Sequence, residues 1–338
     1  MNKKIIIAVS VIVVFIFLVL LLLLMMDNST EKKVVNFSMA DIAKNDVEEL
    51  PTYVNETESE EPIPEEDENE DVYEFEEDIS FAYDEYNRQI PIPPTFEYVE
   101  GGYDDGVVIQ DEDGNQFVWI PVENIDGYKR RVFTEEELNK TDEEILSSMG
   151  LKERSEYNPS FSESVEKYKG FYVARYEAAL ENRDGGNFLV SKGELMPLTL
   201  ISWNNAKEYA ENMYIKNNKF ESDLMNSYAW DTICEWMMES GIDITDSVEY
   251  GNYQNSTSGM LRAVETGSND RWKKKNIYDM AGNVWEYTTE ENGVHELTHI
   301  ARGGGYLNEG ENYSILSRGF TEDGPNDAIG FRVVLYLK

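Results

Sequence analysis

The chain has 338 residues, 67 of them Asp or Glu against 29 Lys or Arg, giving a formal charge of −38 with two His and one Cys. So acidic a surface repels phosphate, which excludes nucleic-acid binding by counterion release. A single thiol excludes an internal disulfide and most Cys/His metal or redox frameworks.

Three unlike segments follow one another. Ile5 to Met26 is a run of 22 residues without a charge, about 33 Å as a helix and long enough to cross a hydrocarbon core of roughly 30 Å. It ends in LLLLMMDNST with no small-residue exit site, so residues 1–26 read as an uncleaved transmembrane anchor rather than a cleaved signal peptide. Lys3 and Lys4 precede the run, and Asp27 and Glu31 dilute Lys32 and Lys33 after it. The positive-inside bias then keeps the N-terminus cytoplasmic and places the rest at the outer face of the cell membrane. Between Asp41 and Glu85 there are 20 acids in 45 residues with Lys44 the only base. Such a run repels itself and buries too little to offset chain entropy, so residues 27–89 read as a disordered acidic linker spanning roughly 45 Å or more. An acidic docking tail or weak cation brush is the functional alternative.

Residues 90–338 read as one domain of mixed α+β class with much irregular structure. FVWIPV (Phe117 to Val122), bounded by DEDGNQ, predicts a strand. Thr134 with Glu137 predicts a capping box opening a helix that runs towards Gly150, which ends it as a left-handed residue. GFYVARYEA (Gly170 to Ala178), apolar on both faces, predicts a central strand. Ser202 caps a predicted helix to about Tyr214 with Trp203, Ala206, Ala210 and Met213 on one stripe. Ser227 opens another in which Trp230, Ile233, Cys234 and Met237 share a face. GFRVVLYLK (Gly330 to Lys338) predicts a terminal strand.

Four stretches carry a resemblance: PLTLISWNNAKEYAENM (Pro197 to Met213), NIYDMAGNVWEYT (Asn276 to Thr288), ARGGGY (Ala301 to Tyr306) and SRGFTEDGPNDAIGFRVV (Ser317 to Val334). In order and spacing they resemble the sulfatase-modifying factor family, whose best-known member is formylglycine-generating enzyme, a variant of the C-type lectin fold. PPTFEYVEGGYDDGVVIQDEDGNQFVWIPV (Pro93 to Val122) resembles the domain opening of a bacterial branch. The resemblance covers most of residues 91–338, and DMAGNVWE is its most specific string. The glycines of RGGGY and Gly282 suit close backbone approach and tight turns. Trp203 and Trp285 read as core anchors whose indole N–H groups need partners.

Asp279, Gly282, Val284 and Glu286 form a hard-oxygen set of two carboxylates and two main-chain carbonyls, suited to Ca2+. The resemblance implies the same four positions as calcium ligands. A second calcium site of that enzyme begins near Asn252 and Tyr253, with its other half unmatched; the alternative for Asp279 and Glu286 is turn capping.

The family's enzymes oxidise a substrate cysteine with a copper-bound cysteine pair just after the R-G-G motif. Asn308 and Tyr313 stand at those positions, so copper is not expected. Cys234 lies on an apolar helical stripe and reads as a buried small hydrophobe. The family's R-L-P-T-E-A-E-W-E stretch is replaced by DLMNSYAWDTICEWM (Asp223 to Met237). His295, Glu296 and His299 spell the H-E-x-x-H zinc pattern, but with no third histidine and an expected strand leading into RGGGY they form no helical chelate. The spaced histidines of iron-dependent relatives are absent too.

Two functions remain open. One is a noncatalytic, calcium-stabilised module displaying residues 306–328 to an extracellular protein or glycan, with Tyr306, Asn308, Asn312, Tyr313 and Arg318 as the binding groups. The other is a formylglycine-generating oxidoreductase with a different metal arrangement.

Overall fold

The computed structural model describes residues 35–37, 79–84, 86–133, 140–153, 158–183, 185–293, 298–322 and 324–338. The Ile5–Met26 run, most of the acidic linker, the Thr134/Glu137 pair and His295 with Glu296 lie outside them. Among the described residues no helix is long and apolar enough to cross a membrane.

Gly170–Ala174 is buried at all five positions, as an apolar run free of turn residues requires of a strand covered on both faces. It lies between Gln116–Pro121 and Val333–Leu337 in a six-stranded antiparallel sheet whose outer members are Phe220–Leu224 on one side and Val108–Asp111 then Phe96–Glu100 on the other. The two-residue side-chain period sends alternate residues to opposite layers. Phe117, Trp119, Tyr172 and Leu335 join one apolar cluster, and Val118, Ile120, Phe171, Val173, Val334 and Tyr336 the other.

Among the described residues, four α-helices pack around the sheets. The first, α1 (Asp142–Ser148), has a capping box formed by Thr141 with Glu144; Gly150 follows with φ +78, the left-handed residue expected there. In α2 (Ser160–Tyr168), Phe161 stacks on Tyr336 at 4.1 Å. Helix α3 (Trp203–Asn212) is capped by Ser202 and buries Trp203, Ala206 and Ala210 in the first layer. Helix α4 (Ser227–Glu239) buries Trp230, Ile233, Cys234 and Met237 in the second. Its cap is Asn226 rather than Ser227, because the Asn226 carboxamide reaches the Ala229 N–H at 2.8 Å.

The expected C-terminal strand is two strands. Ile329–Phe331 runs parallel to Trp285–Asn292 in a second sheet, completed by Thr298–Arg302, the edge strand Arg318–Glu322 and the short Leu151–Glu153. Val333–Leu337 belongs to the six-stranded sheet, so the chain changes sheets at Arg332. The packed unit also begins earlier than residue 90. Ser80–Tyr83 pairs with Gln89–Ile92, Val35–Phe37 adds outside it, and Ile79 and Ala82 are buried in the first layer. The reading of residues 27–89 as wholly disordered is corrected for this stretch: Ile79, Phe81 and Ala82 give it apolar side chains that pack on the first layer and that the acid count conceals.

Candidate functional site

Residues 279–286 connect the short strand Ile277–Tyr278 to Trp285–Asn292 through a tightly curled loop. Asp279, Gly282 and Asn283 all have positive φ, +55, +76 and +55. A Cβ on Gly282 would lie 2.6 Å from the Asn252 nitrogen, so only glycine fits. Left-handed Asp and Asn are tolerated because their side chains find local partners. Thr266 Oγ1 and Gly267 N donate to Asp279 Oδ2 at 3.0 and 2.8 Å. Asp279 Oδ1 is buried with no partner.

Arg332 enters this neighbourhood from the joint between sheets. Its Nε and Nη2 donate to Glu286 at 3.0 and 2.7 Å, and Nη1 and Nη2 also reach Ala174 O and Tyr278 O. A third acid, unmarked by the sequence, completes the group: Glu177 is fully buried, accepting from Asn283 Nδ2 at 2.6 Å and from Val284 N at 3.3 Å. Burial, reinforced by Asp279 and Glu286, pushes the Glu177 carboxyl well above the usual range. Burial pushes Asp279 up to about 6 against the bonds from Gly267 and Thr266. Burial also raises Glu286, opposed by Arg332. Three acids thus face one guanidinium, and the group is short of positive charge.

Among the described residues no three acidic, His or Cys side chains converge as a metal cluster. A cation here would therefore draw on main-chain oxygens besides Asp279 and Glu286. Glu286 has capacity for it, since a carboxylate offers about four acceptor positions and a bidentate arginine occupies about two. The unpartnered Asp279 Oδ1 and the charge deficit fit a hard divalent cation. The matched half of the second calcium site is engaged elsewhere: Asn252 accepts from Met260 N and donates to Arg262 O and Asn283 Oδ1.

A cleft of about 320 Å3 opens beside this loop. Trp285, Tyr306, Leu307, Asn308, Phe320 and Asn326 are among its walls, and among the described residues none that lines it is charged. The Asn308 carboxamide oxygen accepts from Trp285 Nε1 at 2.9 Å and from Gly305 N at 3.0 Å. Tyr313 sets its ring edge against Trp285 at 6.0 Å. Asn283 O accepts from Tyr306 N at 2.9 Å, so loop and cleft share a backbone bond.

The five expected binding residues therefore separate. Tyr306 and Asn308 line the cleft and Tyr313 supports its wall. Asn312 turns back to Glu309 at 2.8 Å. Arg318 leaves the set: its guanidinium reaches Asp231 at 2.5 Å and Glu290 at 2.9 Å in a buried network with Arg130 and Arg302. An arginine before a loop signals either recognition or burial, and only the distant acids decide. The cleft walls Phe320 and Asn326 lie in the Ser317 to Val334 stretch but outside the five expected binding residues; the pairing of Arg318–Glu322 with Thr298–Arg302 places Phe320 there.

Cys234 is fully buried, and burial pushes its thiol up to about 12, far from a reactive thiolate. His299 lies in the strand Thr298–Arg302 with its ring flat on Trp203, 4.6 Å between centroids. The Trp203 indole donates to Thr288 O at 2.7 Å.

Residues 154–337 match the family described as sulfatase-modifying factor enzyme 1-like domain, and the chain belongs to that family. Similar solved structures include PvdO from Pseudomonas aeruginosa, with 17% identity, 68% of this chain and 98% of that one covered, and a TM-score of 0.42. CarF has 17% identity, 50% and 87% coverage and a TM-score of 0.39. Treponema denticola variable protein 1 has 13% identity, 72% and 100% coverage and a TM-score of 0.39. No curated protein matches the chain.

Proposed function

We propose that this chain is a membrane-anchored, noncatalytic display module in which calcium stabilises the 279–286 loop and the adjoining cleft takes an extracellular protein or glycan ligand. The observation that carries the reading is Asn308. A carboxamide stands where the resemblance implies a sulfur ligand, and its oxygen is spent on Trp285 and Gly305. Amides are poor ligands for copper(I), which selects soft thiolates. Aromatic, aliphatic and amide groups with no charge suit an uncharged ligand surface. Asp279 Oδ1 and the excess of buried acids support calcium beside it.

Calorimetry should show calcium binding below millimolar concentration, lost in Glu286→Ala; no heat, or unaltered binding in the variant, overturns the calcium reading. Oxygen uptake with a cysteine-containing sulfatase peptide should stay at the buffer rate. Turnover above it would favour the oxidoreductase alternative. A protease added to intact cells should remove the C-terminal domain, and full protection would refute the outward orientation.

A further inference from the structure

We infer that Glu177 positions the calcium loop without itself being a ligand, acting through Asn283 and Val284; this rests on the calcium reading above. Asn283 sits between Gly282 and Val284. Its side chain donates to Glu177 Oε2 at 2.6 Å and to Val264 O at 3.2 Å. Its Oδ1 accepts from Val264 N and from Asn252 Nδ2. Its main-chain N–H donates to Asn252 O at 3.0 Å. The main-chain bond holds the 282–283 peptide, which carries the Gly282 carbonyl, and the side-chain bonds hold Asn283 between the two carbonyls assigned to the ion.

Glu177 is the charged member of that set and the only one that holds both Asn283 and the next residue, Val284. A bidentate acceptor joining a side-chain amide to the neighbouring backbone N–H sets the rotation of the 283–284 peptide. Groups that orient ligands in this way commonly change metal affinity by about 10- to 100-fold when lost. In a cation-free protein a third buried acid beside Asp279 and Glu286 adds burial cost and repulsion that Arg332 and the bond from Asn283 only partly offset. Its cost is offset when a divalent cation balances the group. The same clamp bears on the cleft, because Asn283 O accepts from Tyr306 N.

The test compares the full-length chain with Glu177→Gln and Glu177→Asp. Gln keeps the shape and one acceptor and removes the charge; Asp keeps the charge and shortens the reach. Calcium titration calorimetry should show affinity reduced about 10- to 100-fold in both variants. Melting in EGTA should show that Glu177→Gln is as stable as the parent or more so, since a buried repulsion is relieved. Unaltered affinity in both variants overturns the inference while leaving calcium binding intact. Full affinity in Glu177→Asp with a loss only in Glu177→Gln reduces Glu177 to a local charge and overturns positioning. Loss of the cooperative calcium-free melt in both variants assigns it a purely structural role. Absence of binding by the parent chain removes the calcium reading and this inference together.

Discussion

Glu153 closes its carboxylate between Ser227, whose N–H donates at 3.1 Å and hydroxyl at 2.5 Å, and the hydroxyl of Thr289. The charged groups facing it are Glu290 and Arg130. Burial, with Glu290 adding repulsion, pushes its carboxyl up to about 7 against the three hydrogen bonds. The sign of the consequence is fixed by that direction. An acid whose folded pKa lies above its unfolded value keeps its proton longer when folded, so its contribution falls as pH rises from about 4.5 to 7 and is constant beyond. A shift of this size corresponds to on the order of 3 kcal/mol. Glu153→Gln should abolish that slope: relative to the parent, the variant gains stability between pH 5 and 7. Melting midpoints of both proteins across that interval check it, and parallel curves would refute it. Asn308→Ala is the corresponding change at the cleft. It strands the Trp285 indole N–H and the Gly305 N–H and should cost about 1–3 kcal/mol in denaturant unfolding; a cost under about 0.5 kcal/mol would mean that water replaces the carboxamide without loss.

At the scale of elements, Arg332 is where the two sheets are joined. It is fully buried, it separates Ile329–Phe331 from Val333–Leu337, and it ties Glu286, Ala174 O and Tyr278 O together. Arg332→Met leaves the Glu286 charge without its partner, and breaking a buried pair from one side costs about 3–5 kcal/mol. The double change Arg332→Met with Glu286→Met should recover part of that loss, because both charges are gone. Chemical unfolding of the two variants checks the order; a double variant less stable than the single one would contradict it. The sequence showed Trp203, Ala206 and Ala210 as a buried stripe because their spacing is local, and it showed Gly170–Ala174 as a central strand for the same reason. It did not show the division at Arg332, since an apolar run reads alike whether it serves one sheet or two. Helix α4 was displaced by one capping position because Asn226 and Ser227 are both competent caps, and only backbone geometry chooses. Glu177 was invisible because 106 residues separate it from Asn283. The closeness of Asp279 to Glu286 follows from a short local spacing, whereas the commitment of Arg318 to Asp231 and Glu290 depends on non-local pairing.

For the whole molecule, the boundary of the packed unit matters more than the total charge suggests. The acid-rich composition up to Glu85 argues for a solvated chain, yet Ile79 is 6% exposed and Ala82 fully buried. Ser80–Tyr83 forms four register pairs with Gln89–Ile92. Arg88 secures the turn, donating to Asp84 at 2.5 Å and to Asp104 at 3.1 Å while lying 3.8 Å over the Tyr103 ring. Tyr172, in the central strand, donates to Pro91 O at 2.9 Å, so this hairpin is bonded to the middle of the large sheet. A chain shortened to begin at Ile90 loses the Ile79 burial, about 1.5–3 kcal/mol, and the Asp84–Arg88–Asp104 pairing, worth about 1 kcal/mol at a partly exposed site. It should melt at a lower temperature than one beginning at Asp78, by about 2–4 kcal/mol of stability. Equal midpoints for the two shortened chains would return residues 79–89 to the linker. A lower midpoint for the shorter chain makes Ser80–Tyr83 part of the cooperative unit, held to it through the strand Gln89–Ile92.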